Sequence, residues 1–172
     1  LNFYRDYLAN VPPQDAPRFS FRLGYFFHLI TDNLWMVAVG MPTQERFPAQ
    51  FAADKNFIWE VKKNWYGLDH LYLRAHPDCL FWRVFLDAEP VAADLDFLPA
   101  KALTRQLAHI KQYYQRTDPE IQEMIDTPYI YLTKDEMDRF VEETSRDLHT
   151  IYNILWNDRR DVTSLHSAVS LL

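Results

Sequence analysis

"TKDEMDRFVEETSRDLHTIYNIL", residues 133–155, reads as one long helix with its own start signal. Thr133 and Glu136 form a T-x-x-E capping box, in which each side chain can satisfy a backbone N–H that the first turn leaves without a partner. Met137, Phe140, Val141, Thr144, Leu148, Ile151 and Leu155 then recur at helical spacing. The pattern predicts a helix from Lys134 to about Asn157.

Outward from this helix, ten prolines divide the chain into segments of helical character. Proline is poorly tolerated inside a helix but accepted in its first turn or beyond its end. The intervals predict a lead-in helix from Asn2 to Asn10, a long one from about Pro17 to Val39, and one or two from Ala49 to Asn64. Further helices are expected over Trp65 to Ala75, Asp78 to Asp87, Pro99 to Gln115 and Pro119 to Ile125. "YIYL", residues 129–132, is the one strand-like run, read as an extended link. With no internal repeat and no linker-like change of composition, the expectation is an all-α, single-domain helical bundle over 1–172.

At 172 residues and 48% hydrophobic, the chain can bury one sizeable core. Gly24, Gly40 and Gly67 are the only glycines, too few for a Gly-rich phosphate loop, a dinucleotide fingerprint or a G-x-S-x-G elbow. A lone Cys79 excludes an internal disulfide or a cysteine metal cluster and points to a reducing, cytoplasmic setting. The net charge of −6, without a basic cluster, argues against general nucleic-acid binding. No apolar run reaches the length of a transmembrane helix. The chain opens on Leu1 rather than Met, and further residues upstream are allowed for.

"GYFFHLITDNLW", residues 24–35, places His28 and Asp32 within an apolar stretch. Residues four apart share a helix face, so an imidazole nitrogen and a carboxylate oxygen can converge there. Both suit zinc or a similar divalent ion. Continued at helical spacing, the stripe runs through Phe21, Gly24 or Tyr25, His28, Asp32 and Trp35. It reads as core-facing, with Gly24 leaving room for close approach. The bland alternative is a satisfied polar pair inside a core.

The longer stretch "FRLGYFFHLITDNLW" resembles the G-Y-x-x-H-L-x-x-D-x-x-W signature of bacterial zinc-dependent phospholipase C-like proteins, which share an all-α fold with the P1-type nucleases. The resemblance implies that fold, zinc as cofactor, and His28 and Asp32 as metal ligands. It covers about fifteen residues. Characterised members place another His six residues after the Asp, where this chain has Ala38. They also carry a downstream H-x-x-x-E, whereas His70, His76, His109 and His149 are followed at that distance by Arg74, Leu80, Tyr113 and Asn153. A full trinuclear site is therefore not implied.

Asp69, His70, His76 and Asp78 fall within "WYGLDHLYLRAHPD", residues 65–78. Asp69 and His76, seven apart, share a face, and the set could complete a metal site or orient a ligand histidine. The competing reading is a solvated helix end fraying before Pro77. His149 borders the apolar stripe of the last helix, with Ser145 and Asn153 one turn to either side; the surface is its expected place, and a bundle interior, where it could add to or orient the metal ligands, is the alternative. His109 and His166 have no convergent partner in sequence, and Cys79 reads as a packing residue. Phe57, Trp59, Trp65, Tyr66, Tyr72, Phe81, Trp82 and Phe85 read mostly as core, with a pocket or subunit interface as the alternative.

Together these readings predict a metal-dependent hydrolase of phosphate esters. A divalent ion held by His28 and Asp32 would activate water against a small-molecule or phospholipid substrate. The rival is a non-catalytic helical binding or structural module that keeps the pair as a degenerate metal site. A homo-oligomer is compatible with either.

Overall fold

A computed structural model of the chain describes residues 1–90 and 95–172, and every regular element among them is helical. The α-helices are α1 (Ala16–Trp35), α2 (Met41–Arg46), α3 (Pro48–Ala53), α4 (Phe57–Ala75), α5 (Ala100–Tyr114), α6 (Pro119–Asp126) and α7 (Lys134–Tyr152). Wider π-helical turns occupy Tyr4–Leu8, Met36–Gly40, Phe81–Phe85 and Asn153–Asn157. The chain packs as two compact units, Leu1–Pro42 with Asp138–Leu172, and Thr43–Met137.

The core of the first unit joins Phe26 and Ile30 of α1 to Leu8, Ile151, Leu155, Val162, Ala168 and Leu171. Burying side chains of this size stabilises by about 1.5–3 kcal/mol each. Phe19, Leu23, Phe27 and Leu34 flank that line, half-buried. Arg5 donates to the Val162 carbonyl at 3.2 Å and the Leu165 carbonyl at 2.9 Å, tying the N-terminal segment to the tail.

The long helix does not stop at Val39. It widens into the Met36–Gly40 turn, where the Met41 N–H bonds to the Met36 carbonyl five residues back, and continues as α2 to Arg46. A proline inside a helix forfeits one N–H and crowds the preceding turn. The wide turn directly before Pro42 opens that spacing.

In the second unit α4 runs unbroken, so the expected break between Asn64 and Trp65 is absent. Asn64 is buried, donates to the Pro128 carbonyl at 3.1 Å and accepts from the Tyr131 N–H at 2.9 Å. Its amide therefore pins residues 128–131 onto α4 instead of capping a helix. Phe57 adds its ring edge-on to Phe51 and Tyr131. The helix expected over Asp78 to Asp87 shrinks to the Phe81–Phe85 turn, anchored by a 3.0 Å hydrogen bond from the Trp82 indole to the Leu73 carbonyl.

The capping box of α7 forms as its residues predict. The Thr133 N–H donates to Glu136 at 2.8 Å, and the Glu136 N–H donates to the Thr133 hydroxyl at 3.2 Å. Among the described residues no strand forms, and the 129–132 link is irregular. No described helix is long and apolar enough to cross a membrane.

Candidate functional site

His28 and Asp32 do converge, with Nε2 and Oδ2 3.4 Å apart, but not toward the core. Their side chains are 63% and 62% exposed. The core-facing expectation is corrected by the choice α1 makes between two faces. It buries Phe26 and Ile30, flanked by the half-buried Leu23 and Leu34, and turns the His–Asp face to water, which solvates the carboxylate without a desolvation cost. Tyr25 lies with its ring centroid 6.2 Å from that of His28 and narrows the space open to the imidazole. Gly24 is exposed, and a Cβ there would meet nothing within 4 Å, so no close approach explains it.

Asp69 and His70 lie in the second unit, on the side of α4 that faces the end of α5. The expected solvated helix end does not describe them. Asp69 accepts a 2.7 Å hydrogen bond from the Tyr114 hydroxyl. Burial pushes its carboxyl above the usual carboxylate range, and the Tyr114 bond pulls partly against that. Tyr114 in turn is pushed up, first by burial and then by the adjacent Asp69 charge.

His70 is only 2% exposed, and its ring packs against both Tyr113 and Tyr114, 5.3 Å from each centroid. Its Nε2 has no hydrogen-bond partner. Burial, helped by the Arg74 and Arg116 charges, holds its pKa below the ordinary imidazole value. The cluster thus favours a neutral His70 beside a carboxyl held by one phenol.

The remaining candidates are exposed. His76 is exposed at the end of α4, its Nδ1 2.8 Å from the Tyr72 carbonyl and its ring stacked on Tyr72. Asp78 is exposed as well. His149 is on the surface, its Nδ1 3.4 Å from the Asn153 amide. Among the described residues no three His, Cys, Asp or Glu side chains gather as a metal-holding group.

Tyr114 was not legible as Asp69's partner, because 45 residues separate them and no local signal links "QYYQR" to "GLDH". Of the aromatics expected in the core, Phe57 is buried, whereas Trp59 and Tyr72 are exposed. No protein-family model, no curated protein and no solved structure matches the chain significantly.

Proposed function

We propose that His28 and Asp32 are two ligands of a divalent-cation site, with zinc the ion their donor chemistry suits, in a protein that hydrolyses phosphate esters. The 3.4 Å separation of Nε2 and Oδ2 carries this reading. Two ligands at about 2.1 Å from a tetrahedral zinc stand roughly 3.4 Å apart, so the pair spans one edge of such a tetrahedron. The exposure of the pair leaves the other corners open to water, to a substrate oxygen or to further ligands. When bound, the ion would acidify a water and offset charge on the phosphoryl oxygens. His28 supplies a neutral nitrogen and Asp32 the compensating negative charge, with Tyr25 restricting the imidazole.

A second reading, a helical binding or structural module without catalysis, is favoured by Ala38, which stands where the resembled hydrolases place a further histidine. Thermal melting of wild type and Asp32→Asn, each with zinc and with EDTA, separates the two. A wild-type melting temperature that rises with zinc, lost in the variant, supports the ligand role. Superimposable wild-type curves would leave the binding module as the better description.

A further inference from the structure

A groove of about 570 Å³ in the first unit lies between the N-terminal segment and the end of the last helix. Tyr4 and Asn10 line one side, and Tyr152, Trp156, Arg159 and Arg160 the other. No carboxylate is among its lining residues; Asp158 and Asp161 flank the arginines in sequence but do not line it. Asp161 is engaged with Thr163 through that residue's N–H and hydroxyl.

What the groove offers is an excess of donors. Neither the Arg159 nor the Arg160 side chain has an ion-pair or hydrogen-bond partner among the described residues, whereas the Arg5 guanidinium is bound to two carbonyls. The Tyr4 and Tyr152 hydroxyls, the Trp156 indole N–H and the Asn10 amide likewise meet no acceptor within the described chain. The rings add an apolar wall: Tyr152 and Trp156 are stacked at 4.9 Å and 19°, and Tyr4 meets Trp156 edge-on at 5.3 Å.

Arg159 also holds its place at a conformational cost, with φ at 51° in the left-handed region that glycine occupies most easily. It closes the helix there, as the Arg160 N–H bonds back to the Ile154 carbonyl.

We propose that this groove binds a small dianionic phosphate monoester carrying a flat ring. Two unpaired guanidinium groups match the two charges and the fork geometry of a phosphate. The Tyr152/Trp156 wall receives the ring, and the free hydroxyl and N–H donors take the remaining phosphate oxygens. None of these groups belongs to the His28/Asp32 pair, so the assignment stands independently of the metal reading.

Titration of the full chain with phenyl phosphate, read at the Trp156 indole N–H by NMR with Trp156→Phe for assignment, tests it. The expected result is a saturable shift, weakened by added salt, with inorganic phosphate and benzoate binding more weakly and phenol not at all. Arg160→Ala should raise Kd about tenfold or more, and the Arg159→Ala/Arg160→Ala pair further. Melting curves verify that each variant is folded, and the single Arg160→Ala change leaves the left-handed position untouched. No saturable shift at millimolar phenyl phosphate, equal binding of benzoate, or a Kd indifferent to both variants would overturn the assignment.

Discussion

The Cβ that Gly67 lacks would fall 2.8 Å from the Met124 carbonyl oxygen and 3.0 Å from the Tyr129 hydroxyl. Here α4 meets α6, backbone against helix, and only a residue without a side chain allows that spacing. Gly67→Ala must displace a main-chain oxygen and should destabilise by about 1–3 kcal/mol despite the better helix propensity of alanine. Gly24→Ala, where nothing lies within 4 Å, should stabilise by about 0.5–1 kcal/mol. Urea unfolding of the two variants should therefore move midpoints in opposite directions.

Removing the hydroxyl in Tyr114→Phe strips Asp69 of the donor that holds its carboxyl. At neutral pH the loss should reach about 1–3 kcal/mol, the penalty for an unsatisfied buried acceptor. Asp69 has its folded pKa raised above 3.8, so within that window the folded state holds a proton the unfolded state has released. Stability from this group is greatest at acid pH and declines as pH rises through the raised value. The cost of Tyr114→Phe should accordingly shrink on acidification, which chemical denaturation at pH 7 and pH 4 would reveal.

His70 contributes with the opposite sign. Its folded pKa is depressed below 6.5, so the unfolded chain takes up a proton before the folded one does. Stability is then lost as pH falls from 6.5 toward the depressed value, at up to about 1.4 kcal/mol per pH unit for one proton. His70→Phe keeps a ring against Tyr113 and Tyr114, removes the titration and replaces the unpartnered Nε2. The acid limb of its stability profile should be flatter than that of wild type by one proton.

Arg159→Gly should raise stability by about 0.5–1 kcal/mol, because a left-handed residue without Cβ is unstrained. The same change removes one of the two unpaired guanidinium groups of the groove. A variant that melts higher yet binds phenyl phosphate more weakly is the expected outcome, a stability gain set against a binding role. Differential scanning calorimetry and the NMR titration measure the two halves.

At the start of α7, Thr133→Ala removes the hydroxyl that accepts the Glu136 N–H and should cost about 1 kcal/mol. Glu136 has its carboxyl held low, chiefly by the Thr133 N–H, so the stability it contributes is present at neutral pH and lost as pH falls through that lowered value. Melting at pH 7 and pH 3 should show the Thr133→Ala deficit largest at the higher pH.

The helices themselves could be read from local chemistry. The capping box, the spacing of Phe140, Thr144 and Ile151, and the prolines that open α3 and α6 act within a turn or two of chain, where sequence neighbours are spatial neighbours. Local pattern misled where a distant group decided the outcome. Asn64 looked like a boundary until its amide found Pro128 and Tyr131, and Pro42 looked like a stop until the turn before it widened. The tail after Arg160 has no helical period, yet Val162, Ala168 and Leu171 are buried because the rest of their unit offers apolar surface.

For the chemical groups the division is sharper. The i,i+4 spacing alone brought His28 and Asp32 within reach of each other, since a helix repeats every 3.6 residues whatever surrounds it. Which face α1 would bury was not contained in that spacing, because apolar residues occupy both sides of the helix and only packing against Leu8, Ile151 and Leu155 selected the Phe26/Ile30 side. The Asp69–Tyr114 bond, the enclosure of His70 and the gathering of Tyr4, Trp156, Arg159 and Arg160 around one groove join residues far apart in the chain. Such meetings arise from the chain's folding back on itself, and no local rule encodes them.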